Sequence, residues 1–521
     1  MSVFARQLRE CQPKSTRARR WTFVCYDQLH DGIGPLATMA PADAGIVLVE
    51  SAAKARRRPY HKQKLALLLT NVRHFALEQA RRGVAVRHVA TDGDYAGAIA
   101  AIVKELGPLT MQRPAEHEMR TELASLFANG SLVEVPHGGW LTTTADFATA
   151  NGPPWRMDAF YRGVRQRTGL LMEKGKPIGG KYSFDAENRR AWNGEPAAPT
   201  PPTFAVDDVT REVCDLVATK FADHPGTLRP EHLPATHDDA ETQWRWALRE
   251  CLPTFGPFED AMSTRSSGLF HSRISLLLNL HRLLPARVVR DVANSSLPLP
   301  SREGFVRQIL GWREFVRHVH EATDGLRTVA GRPLPHDVLD RRDALAPAFW
   351  GKRSGLACLD HVVADVWREG YSHHITRLMV LGNLATLFGM SAHELSDWFW
   401  IAYVDAYDWV VQPNVLAMAT FALGEVMTTK PYVSGAAYIA KMSDYCRGCA
   451  FDPKKNCPVT RAYWHFLAQH HDVLDGNQRM AMPLRSAAKR SAAEREKDAA
   501  VVAWVKGALA RGSALDPADS P

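Results

Sequence analysis

Three of the eight cysteines are concentrated near the C-terminal end of the sequence, in the stretch SDYCRGCAFDPKKNCPVTRAYW. Two residues separate Cys446 from Cys449, and Cys457 follows with Pro458 behind it. Thiols clustered in this way bind zinc or an iron–sulfur cluster, and such spacing is rarely accidental. Zinc needs a fourth ligand, for which His465 is the nearest candidate, whereas a Cys-Pro step is familiar from ferredoxin-type sites. The spacing favours iron–sulfur slightly and leaves both metals open.

Two adjacent histidines, His373 and His374, offer a second kind of chemistry. Imidazole titrates nearest to neutral pH, so a histidine beside a substrate can act as a general acid. Without further context, such a pair is more often a core or surface feature than a catalytic one. The sequence also holds 14 tryptophans, which matters if electrons must move through the protein.

The composition is that of a large globular protein with a basic balance of charge. At 521 residues the chain is long enough for more than one domain. The N-terminus lacks the apolar segment of a signal peptide, and no apolar run reaches the roughly 18 residues of a membrane span. We therefore expect a cytoplasmic protein with reduced thiols and no membrane contact. The net charge of +8 and the isoelectric point near 9.0 indicate an acidic partner, most obviously nucleic acid.

Strands and helices alternate over residues 21–136. The predicted strands are WTFVCYDQL, GIVLVE, VAVRHVA, LTMQ and SLVEVP, and the predicted helices are residues 61–83, YAGAIAAIVKELG and EHEMRTELASLFANG. This alternation implies parallel crossovers, so we expect an α/β domain with a parallel sheet. No glycine-rich phosphate fingerprint follows the first strand, which argues against a dinucleotide bound in the Rossmann manner.

The rest of the chain divides at proline-rich stretches. Residues 194–204 (GEPAAPTPPTF) and 224–241 indicate a long connection, and the pattern from residue 241 to about 485 is almost wholly helical. We predict a basic extension over residues 1–20, the α/β domain over 21–150, the connection over 151–240, the helical domain over 241–485, and a tail over 486–521. The tail is rich in Ala, Lys and Glu, and we expect it to form a loose helix that ends in disorder.

Several motifs, in order, resemble the iron–sulfur bacterial cryptochromes and photolyases, the prokaryotic branch associated with repair of (6-4) photoproducts. They are SRISLLLNLHRLLP, EGFVRQILGWREFVR, EGYSHHITRLMVLGNL, DAYDWVVQPN and KPYVSGAAYIAKMSDYC. CYDQL, YHKQKLALLLTNVRHF and GKPIGGKYSFDAENRR extend the resemblance over nearly the whole chain. The resemblance implies an α/β N-terminal antenna domain and a large all-α C-terminal FAD-binding domain of the photolyase/cryptochrome type, in agreement with the pattern.

The resemblance also implies ligands for a 4Fe–4S cluster and for FAD. Cys358 matches the family's first cluster ligand, and Cys446, Cys449 and Cys457 match the others, although the loop before Cys457 is shorter than in the family. Hydroxyls, N–H groups at a helix start and a guanidinium suit the FAD pyrophosphate. The residues that match the FAD site are Ser272, Arg273, Ser275, Asn279, Gln308, Trp312, Glu314, Arg377, Asp405, Tyr407 and Val411. Taken alone, Trp312 would be interpreted as core packing.

Within that set, Arg377 and Asp405 match a pair beside the flavin edge, where a fixed cation favours the anionic reduced flavin that donates an electron. Val411 stands where relatives place a hydrogen-bonding side chain that faces flavin N5. Gln412 would substitute only if the loop shifts. Tyr407 would line the same pocket.

The resemblance assigns catalytic roles to the histidine pair and to two tyrosines. His374 matches the proton donor and His373 supports it. Tyr432 and Tyr438 match residues that flank the lesion pocket, where they would stack on a dinucleotide flipped out of the duplex.

Further residues match the electron path and the antenna site of the family. Trp398 and Trp350 match a pair that carries electrons from the surface to the photoexcited oxidised flavin, and Phe399 stands where a tyrosine is expected. Relatives bind 6,7-dimethyl-8-ribityllumazine as the antenna. Asp27 and Glu50 are candidate ligands because α/β sheets bind small molecules at the carboxyl ends of strands. Alternatively, Asp27 merely caps the next turn.

The sequence-based hypothesis is a light-driven (6-4) photolyase that acts as a monomer on UV-damaged DNA, without an obligate protein partner. Photoexcited reduced FAD would give an electron to the flipped lesion, His374 would protonate the leaving group, and the electron would return. We expect the cluster to brace the C-terminal helices or to tune DNA contact. The main alternative is a cryptochrome-like blue-light photoreceptor without repair activity, which the Val411 and Phe399 departures favour. A zinc-dependent DNA-binding module without flavin is a third.

Overall fold

The computed structural model describes residues 2–14 and 19–521, so Met1 and residues 15–18 of the predicted basic extension lie outside the described residues. Five parallel strands form one sheet in the order β3-β2-β1-β4-β5. Their bounds are β1 Arg20–Phe23, β2 Ala44–Ser51, β3 Ala85–Thr91, β4 Leu109–Gln112 and β5 Leu132–Val135. β2 is buried along its whole length, as expected for a strand inside a parallel sheet that helices cover. The predicted parallel α/β domain is confirmed.

The helices of this domain include two that the sequence pattern did not predict, Val3–Cys11 and Ala52–Arg56. The bounds of all five are Val3–Cys11, Ala52–Arg56, Lys62–Arg81, Tyr95–Leu106 and His117–Ala128. The first begins where the Ser2 hydroxyl accepts a hydrogen bond from the Ala5 N–H at 3.1 Å. It buries only Phe4 and Leu8, so its apolar periodicity is too short to stand out in a basic stretch.

Further helices lie between the last strand of the sheet and the helical domain. They are Thr144–Phe147, Met157–Thr168 and Asp208–Lys220, and a short hairpin pairs β6 Met172–Glu173 with β7 Lys176–Pro177. The Asp208–Lys220 helix packs on the Lys62–Arg81 helix, where Glu212 accepts a hydrogen bond from Arg73 at 2.7 Å. Part of the predicted connection therefore covers the α/β domain.

The remainder of the described chain is largely helical. Its helices are His237–Trp246, Leu252–Phe255, Ser275–Asn279, Pro285–Ala293, Leu299–Val306, Glu314–Ala322, Ala357–Glu369, Asn383–Leu387, Ala392–Ala402, Asp408–Gln412, Ala436–Met442, Pro458–Gln469, His471–Leu474, Ala481–Ala488 and Ala492–Ala510. A second hairpin pairs β8 Thr328–Val329 with β9 Arg332–Pro333. No helix among the described residues combines the length and the apolar composition that crossing a membrane requires.

Four segments of this region wind as π-helix, a rare geometry that often marks functional sites. They are Ala247–Cys251, Arg307–Arg313, Thr376–Gly382 and Pro413–Ala419. The second carries Gln308 and Trp312, and the third carries Arg377. The locally widened helices therefore coincide with the predicted flavin site.

A buried lysine ties the two domains together. The Lys64 ammonium donates hydrogen bonds to the carbonyls of Trp400, at 2.8 Å, and Ala406, at 2.6 Å. Burial removes Lys64 from water and lowers its pKa well below its usual range. The two carbonyls take the place of water as its hydrogen-bond partners. A buried guanidinium adds a second tie, since Arg282 pairs with Glu78 at 2.7 Å. The α/β and helical regions are thus held in a fixed relation.

The C-terminal tail is not loose. The Ala492–Ala510 helix packs against the Pro458–Gln469 helix and buries Val501, Val502, Val505, Ala508 and Leu509. Asp498 is buried and accepts hydrogen bonds from Arg490, at 2.8 and 3.0 Å, and from Arg461, at 3.1 Å. The expectation of a loose helix ending in disorder is wrong, because Ala-, Lys- and Glu-rich composition concealed one apolar face.

Replacing the buried carboxylate tests how firmly this helix is held. Asp498→Ala leaves Arg490 and Arg461 without their partner and should lower the free energy of unfolding by about 3 kcal/mol. Urea unfolding of the full chain measures the loss. Glu496→Ala, an exposed change on the same helix, serves as the control and should leave the midpoint nearly unchanged. Equal midpoints for the two variants would show that the tail is only loosely attached.

Candidate active site

A buried ion pair lies at the centre of the predicted flavin site. Arg377 donates two parallel hydrogen bonds to the carboxylate of Asp405, both at 3.0 Å. The Ser275 hydroxyl donates to the same carboxylate at 2.6 Å, and the Asn279 amide donates to the Asp405 carbonyl at 2.9 Å. Burial alone would raise the pKa of Asp405, but Arg377 and Ser275 outweigh burial and lower it. Four of the predicted residues therefore form one charged network.

Tyr403 supports this network, although sequence reasoning did not select it. The Arg377 guanidinium lies 4.1 Å from the centre of the Tyr403 ring, and its Nε donates to the Ser372 carbonyl at 2.8 Å. The Tyr403 hydroxyl shares a hydrogen bond of 2.8 Å with the Ser372 hydroxyl. No motif signals Tyr403, because its role depends on packing against a residue 26 positions earlier.

Several side chains on the segments that carry the network are partly exposed, although most of their neighbours are buried. The side chains with intermediate exposure are Ser272, Ser275, Leu276, Gln308, Trp312, Arg313, Arg377, Leu378, Val410, Asn414 and Met418. Arg313 links two of these segments, since it donates to the Asn279 amide oxygen at 3.3 Å and to the Leu278 carbonyl at 3.0 Å. These partly exposed side chains are the ones that a cofactor bound beside the network could contact.

Arg273 lies apart from this network. Its guanidinium donates to the Ser267 hydroxyl at 2.6 Å and pairs with Glu369 at 2.8 Å. It lines a cavity of about 390 Å³ beside the connection, whereas Ser275 and Asp405 do not. These contacts do not support the expectation that its side chain grips the FAD pyrophosphate.

Glu314 and Tyr407 also have other partners. Glu314 is fully buried, and its carboxylate accepts hydrogen bonds from the N–H groups of Leu141 and Thr142, both at 3.1 Å. The Tyr407 ring stacks on Tyr26 of the α/β domain at 6.2 Å. Both residues hold the domains together, which does not support their predicted contact with a cofactor.

The Val411 departure is not compensated by its neighbour. Val411 is buried, and Gln412 accepts a hydrogen bond from His320 at 3.1 Å. Burial lowers the pKa of His320 to about 3, so this imidazole is neutral. With its amide occupied in this way, Gln412 does not take the position of the missing hydrogen-bonding side chain.

The histidine pair belongs to a trio. The His271 ring stacks on His373, with 4.5 Å between ring centres and 10° between planes, and meets His374 at 5.3 Å. Burial lowers the pKa of His271 to about 3 and of His374 to about 4, and that of His373 falls well below its usual value. The lone pairs of ring nitrogens lie in the ring plane, and the His271 and His373 planes are nearly parallel and separated. One metal ion therefore cannot lie in both planes, which is poor geometry for shared binding.

An aspartate lies beside the trio. Asp260 is 4.0 Å from the His374 Nε2 and accepts a hydrogen bond of 3.4 Å from the predicted pocket residue Tyr438. Burial, followed by the nearby Glu259 and Asp185, raises the pKa of Asp260 to about 7. Sequence reasoning missed Asp260 and His271 because both lie about 100 residues before the histidine pair.

The four predicted cluster cysteines are neighbours. Cys358 lies in the first turn of the Ala357–Glu369 helix, and Cys457 precedes the Pro458–Gln469 helix. Burial raises the pKa of Cys358 well above its usual value, and Cys457, Cys446 and Cys449 raise it further. His465, the zinc alternative's fourth ligand, lies instead near Asp498 and Lys506.

The spacing of these thiols argues against zinc. Zn–S bonds of about 2.3 Å hold four sulfurs within about 4 Å of one another in a tetrahedral site. Among groups of three or more described His, Cys, Asp and Glu residues, only the histidine trio has ligand atoms that all lie within 4.8 Å of one another. The cysteines are therefore close enough to interact but farther apart than a single zinc ion requires.

The two predicted antenna residues differ in their surroundings. Glu50 accepts hydrogen bonds from Arg73, at 2.8 and 2.9 Å, and from His88, at 2.9 Å. Burial alone would raise the pKa of Glu50, but Arg73 and His88 outweigh burial and lower it to about 2. Asp27 follows β1, and its Oδ1 is buried without a hydrogen-bond partner among the described residues. Asp27 therefore keeps a free acceptor for a ligand, and Glu50 does not.

Comparison with known proteins agrees with this geometry. Residues 22–233 match the family model for deoxyribodipyrimidine photo-lyase-related protein. Over 488 residues the chain is 34% identical to a (6-4) photolyase of Agrobacterium fabrum, with 89% of this chain and 94% of that protein covered. The chain belongs to the photolyase and cryptochrome family. It lies in the branch of the prokaryotic (6-4) photolyases, as the sequence motifs predict.

Other relatives of this photolyase-family chain add the fold. It is 31% identical over 98 residues to an uncharacterised protein of Acanthamoeba polyphaga mimivirus, covering 19% of this chain and 76% of that protein. A class III photolyase from Agrobacterium tumefaciens aligns with a TM-score of 0.58 at 15% identity, over 95% of this chain and 99% of that one. A Synechocystis cryptochrome aligns with a TM-score of 0.54 at 14% identity, over 93% and 95%. The predicted photolyase/cryptochrome architecture is confirmed.

The raised pKa of Asp260 predicts a pH-dependent effect on stability. Its ordinary pKa is 3.8 and its pKa in the fold is about 7, so ionising it costs free energy that is absent at pH 4 and grows as the pH rises to 7. Three pKa units correspond to about 4 kcal/mol. Asp260→Asn should therefore resemble the wild type at pH 4 and be more stable by up to about 4 kcal/mol at pH 8.

Urea unfolding of the full chain at both pH values measures this difference. Asp340→Asn, an exposed substitution, is the control and should show the same small effect at each pH. If the gain from Asp260→Asn were equal at pH 4 and pH 8, the carboxyl would have an ordinary pKa.

Proposed function

We propose that this chain is a light-driven (6-4) photolyase that holds FAD at the Arg377–Asp405 network and receives a flipped lesion beside the histidine trio. The observation that carries the proposal is the position of Arg377. Its side chain pairs with Asp405, and its backbone N–H donates to the His373 carbonyl at 3.3 Å, one turn away. One helical turn therefore joins the cofactor pocket to the proton-transfer residues. The 34% identity to a (6-4) photolyase supports the substrate.

The residues present suit FAD. The Ser272 hydroxyl is partly exposed just before the start of a helix, where it can donate to a phosphate oxygen, whereas the Ser275 hydroxyl holds Asp405. The Arg377 cation, fixed by Asp405, favours negative charge on a neighbouring ring system. Bound FAD would supply the light-driven electron donor, which no protein side chain provides. Partly exposed Trp312 and Leu378 offer apolar surface for the ring.

The lesion's proton would come from the His374–Asp260 pair. His374 is neutral near pH 7, since its pKa is about 4, whereas Asp260 holds a proton about half of the time. An electron arriving on the lesion adds negative charge, which draws a proton from the nearest donor. His374 would donate that proton and Asp260 would replace it. His271 fixes the orientation of His373, because its Nε2 donates to the Glu259 carbonyl at 3.1 Å.

DNA would meet a cationic rim beside the predicted pocket residue Tyr432. Burial, followed by the charges of Arg479 and Arg189, lowers the pKa of Lys430, so the three cations are close together. Arg479 is held next to Lys430 by a hydrogen bond to Thr429 at 3.2 Å. Adjacent cations repel one another unless an anion lies between them, and DNA phosphates supply such anions.

The cysteines would hold a 4Fe–4S cluster, and Asp27 would bind a lumazine antenna. A cluster separates its sulfur ligands more widely than a zinc ion does, and the finding that no three of these described thiols lie within 4.8 Å of one another supports the cluster. The buried, unpaired Asp27 oxygen lies beyond β1, where the strand order reverses between β2 and β4. Parallel sheets bind ligands at that point.

The first test is repair under blue light of a synthetic oligonucleotide that contains one (6-4) photoproduct. His374→Ala should slow repair by about 100-fold or more, because a positioned proton donor contributes that much. Chromatographic separation of repaired and damaged strands measures the rate, with a dark sample as reference. His393→Ala, which removes one ring of another stacked pair, is the control and should repair normally.

Two results would count against the proposal. A flavin-loaded wild type that repairs nothing would favour the blue-light photoreceptor, to which the uncompensated Val411 position gives weight. Repair at the wild-type rate in His374→Ala would assign the proton to another group.

The second test concerns the metal. Cys358→Ser should lower iron and acid-labile sulfide, and remove the broad visible absorption, because a 4Fe–4S cluster requires four thiolates. Cys214→Ser changes a buried thiol on the Asp208–Lys220 helix and should leave the iron content unchanged. Stoichiometric zinc in the purified wild type would contradict the cluster assignment.

A further inference from the structure

The cavity of about 390 Å³ beside the connection lies where three parts of the molecule meet. The Lys62–Arg81 helix of the α/β domain lines one part of it, the connection lines a second, and the helical domain lines the rest. Ser275 and Asp405 are not among the lining residues, so the cavity is separate from the proposed cofactor site. Its volume falls within the range of small-molecule sites, about 300–1,000 Å³.

The wall of this cavity is positively charged. Four guanidinium groups and two carboxylates line it, so the wall carries an excess of at least two positive charges. Burial, followed by the charge of Arg229, lowers the pKa of the lining residue His232, which therefore adds no charge near pH 7. An anion with a charge of about −2 would balance this excess.

The two carboxylates already hold two of the arginines. Glu369 pairs with Arg273 at 2.8 Å, and Asp365 accepts a hydrogen bond from Arg368 at 2.5 Å. Arg368 also donates to Glu369 at 2.8 Å. These four groups form a balanced cluster on one side of the cavity, so the excess charge belongs to the other two arginines, Arg229 and Arg265.

Arg229 and Arg265 have few fixed partners. The Arg265 guanidinium lies over the Trp192 ring at 4.3 Å and donates no hydrogen bond to the described residues. Asp444 is 4.0 Å from its Nε, at the limit of an ion pair. Arg229 lies 3.5 Å from Glu231, and its guanidinium donates to a neighbouring histidine ring. Both arginines therefore keep N–H donors for a ligand, and guanidinium groups suit phosphate oxygens.

The connection gives the cavity an apolar side. Pro199, Pro201, Pro202 and Phe204 line the cavity and are half-buried, whereas Thr203 is exposed. Proline fixes its own φ angle, so this side of the cavity is stiff. A phenylalanine ring offers a surface on which a flat ring can stack.

This apolar segment is anchored only where it begins and ends. The Trp192 indole donates to the Pro196 carbonyl at 2.8 Å, and the Phe204 N–H donates to the Glu231 carbonyl at 2.9 Å. Between these anchors, no hydrogen bond joins residues 197–203 to the rest of the described chain. The segment can therefore move aside to admit a ligand without the loss of a hydrogen bond.

One buried polar atom of the wall lacks a hydrogen-bond partner. His361 lines the cavity, and its Nε2 is buried without a hydrogen bond among the described residues, although Asp365 Oδ2 lies 3.3 Å away. Buried nitrogen atoms in native proteins are nearly always hydrogen-bonded. This nitrogen is therefore available to a polar group of a ligand.

We propose that this cavity binds a small phosphate monoester that carries a flat ring, which is the chemistry of a mononucleotide. A phosphate monoester has a charge of about −2 at neutral pH, which matches the excess charge of the wall. Arg229 and Arg265 would hold its oxygens, and the ring would lie against Phe204 and the prolines. This binding goes beyond lesion repair and does not rest on the proposed flavin site.

A ligand in this position would contact both domains at once. Leu67 of the α/β domain and Leu276 of the helical domain both line the cavity. A ligand that binds only the folded chain stabilises it, by an amount that grows with the ligand concentration. A mononucleotide should therefore raise the thermal midpoint of the protein.

Isothermal titration calorimetry of the full chain with AMP and with TMP tests the site. Each nucleotide should bind at one site with a Kd below about 1 mM. Adenosine and inorganic phosphate should each bind at least about tenfold more weakly than AMP, because each satisfies only the apolar or only the charged part of the wall.

Two variants locate the ligand. Arg265→Gln and Arg229→Gln should each weaken AMP binding by about tenfold or more, the effect of a hydrogen bond to a charged group. The two side chains are 53% and 32% exposed, so neither change disturbs the core. Arg342→Gln is the control, since Arg342 is 82% exposed and lies outside the cavity, and it should bind AMP like the wild type.

Four results would overturn the proposal. They are a lack of saturable binding of both nucleotides, unchanged AMP affinity in both cavity variants, inorganic phosphate that binds as tightly as AMP, and release of bound flavin by AMP. The last result would place the nucleotide in the cofactor pocket instead. None of them bears on whether the chain repairs (6-4) photoproducts.

Discussion

The pairing of Arg377 with Asp405 is the interaction on which the remaining structure of the helical domain depends. Asp405 is buried and the Arg377 side chain is only 22% exposed, and each compensates the desolvation of the other through two parallel hydrogen bonds. Ser275 and Asn279 complete the shell, so the pair joins a short helix, a π-helical turn and the loop before residue 408. The negative charge of Asp405 also acts across the domain interface, because it opposes the loss of positive charge from Lys64. Cofactor geometry and domain docking are therefore set together.

The charge on either side of this pair is distributed unevenly. Fixed cations lie towards the proposed cofactor, whereas burial keeps the histidine trio neutral and brings the pKa of Asp260 near neutral pH. Arg307 and Arg377 contribute to that neutrality, because each disfavours a second positive charge on His374. A protein arranged in this way holds negative charge on one side and has a movable proton on the other. Such a division of roles between neighbouring groups is what electron transfer followed by protonation requires.

The sequence predicted features that repeat locally and missed those that arise between distant segments. The parallel sheet could be predicted because its strands and helices each carry a clear apolar period. The Val3–Cys11 helix buries too few residues to show one, and the C-terminal helix has its valines among alanines and charges. Family motifs identified the Ser275, Asn279, Arg377 and Asp405 network, yet they also suggested Glu314 and Tyr407, which fold against the α/β domain. No sequence motif assigned a role to Tyr403, His271, Asp260 or Trp367, because their positions follow from long-range packing alone.

One helix connects the neighbouring cysteines to a row of three indole rings. The Ala357–Glu369 helix carries Cys358 in its first turn and Trp367 near its end, about 13 Å apart along the axis. The Trp367 ring contacts the indoles of Trp350 and Trp398, and its N–H donates to the Phe349 carbonyl, so a rotation of this helix would break both arrangements. A metal that joined Cys358 to the thiols of residues 446–457 would oppose that rotation, because a ligand in the first turn would restrain the orientation of the helix. A metal centre bound here would therefore hold Trp367 in place without any change in its own oxidation state.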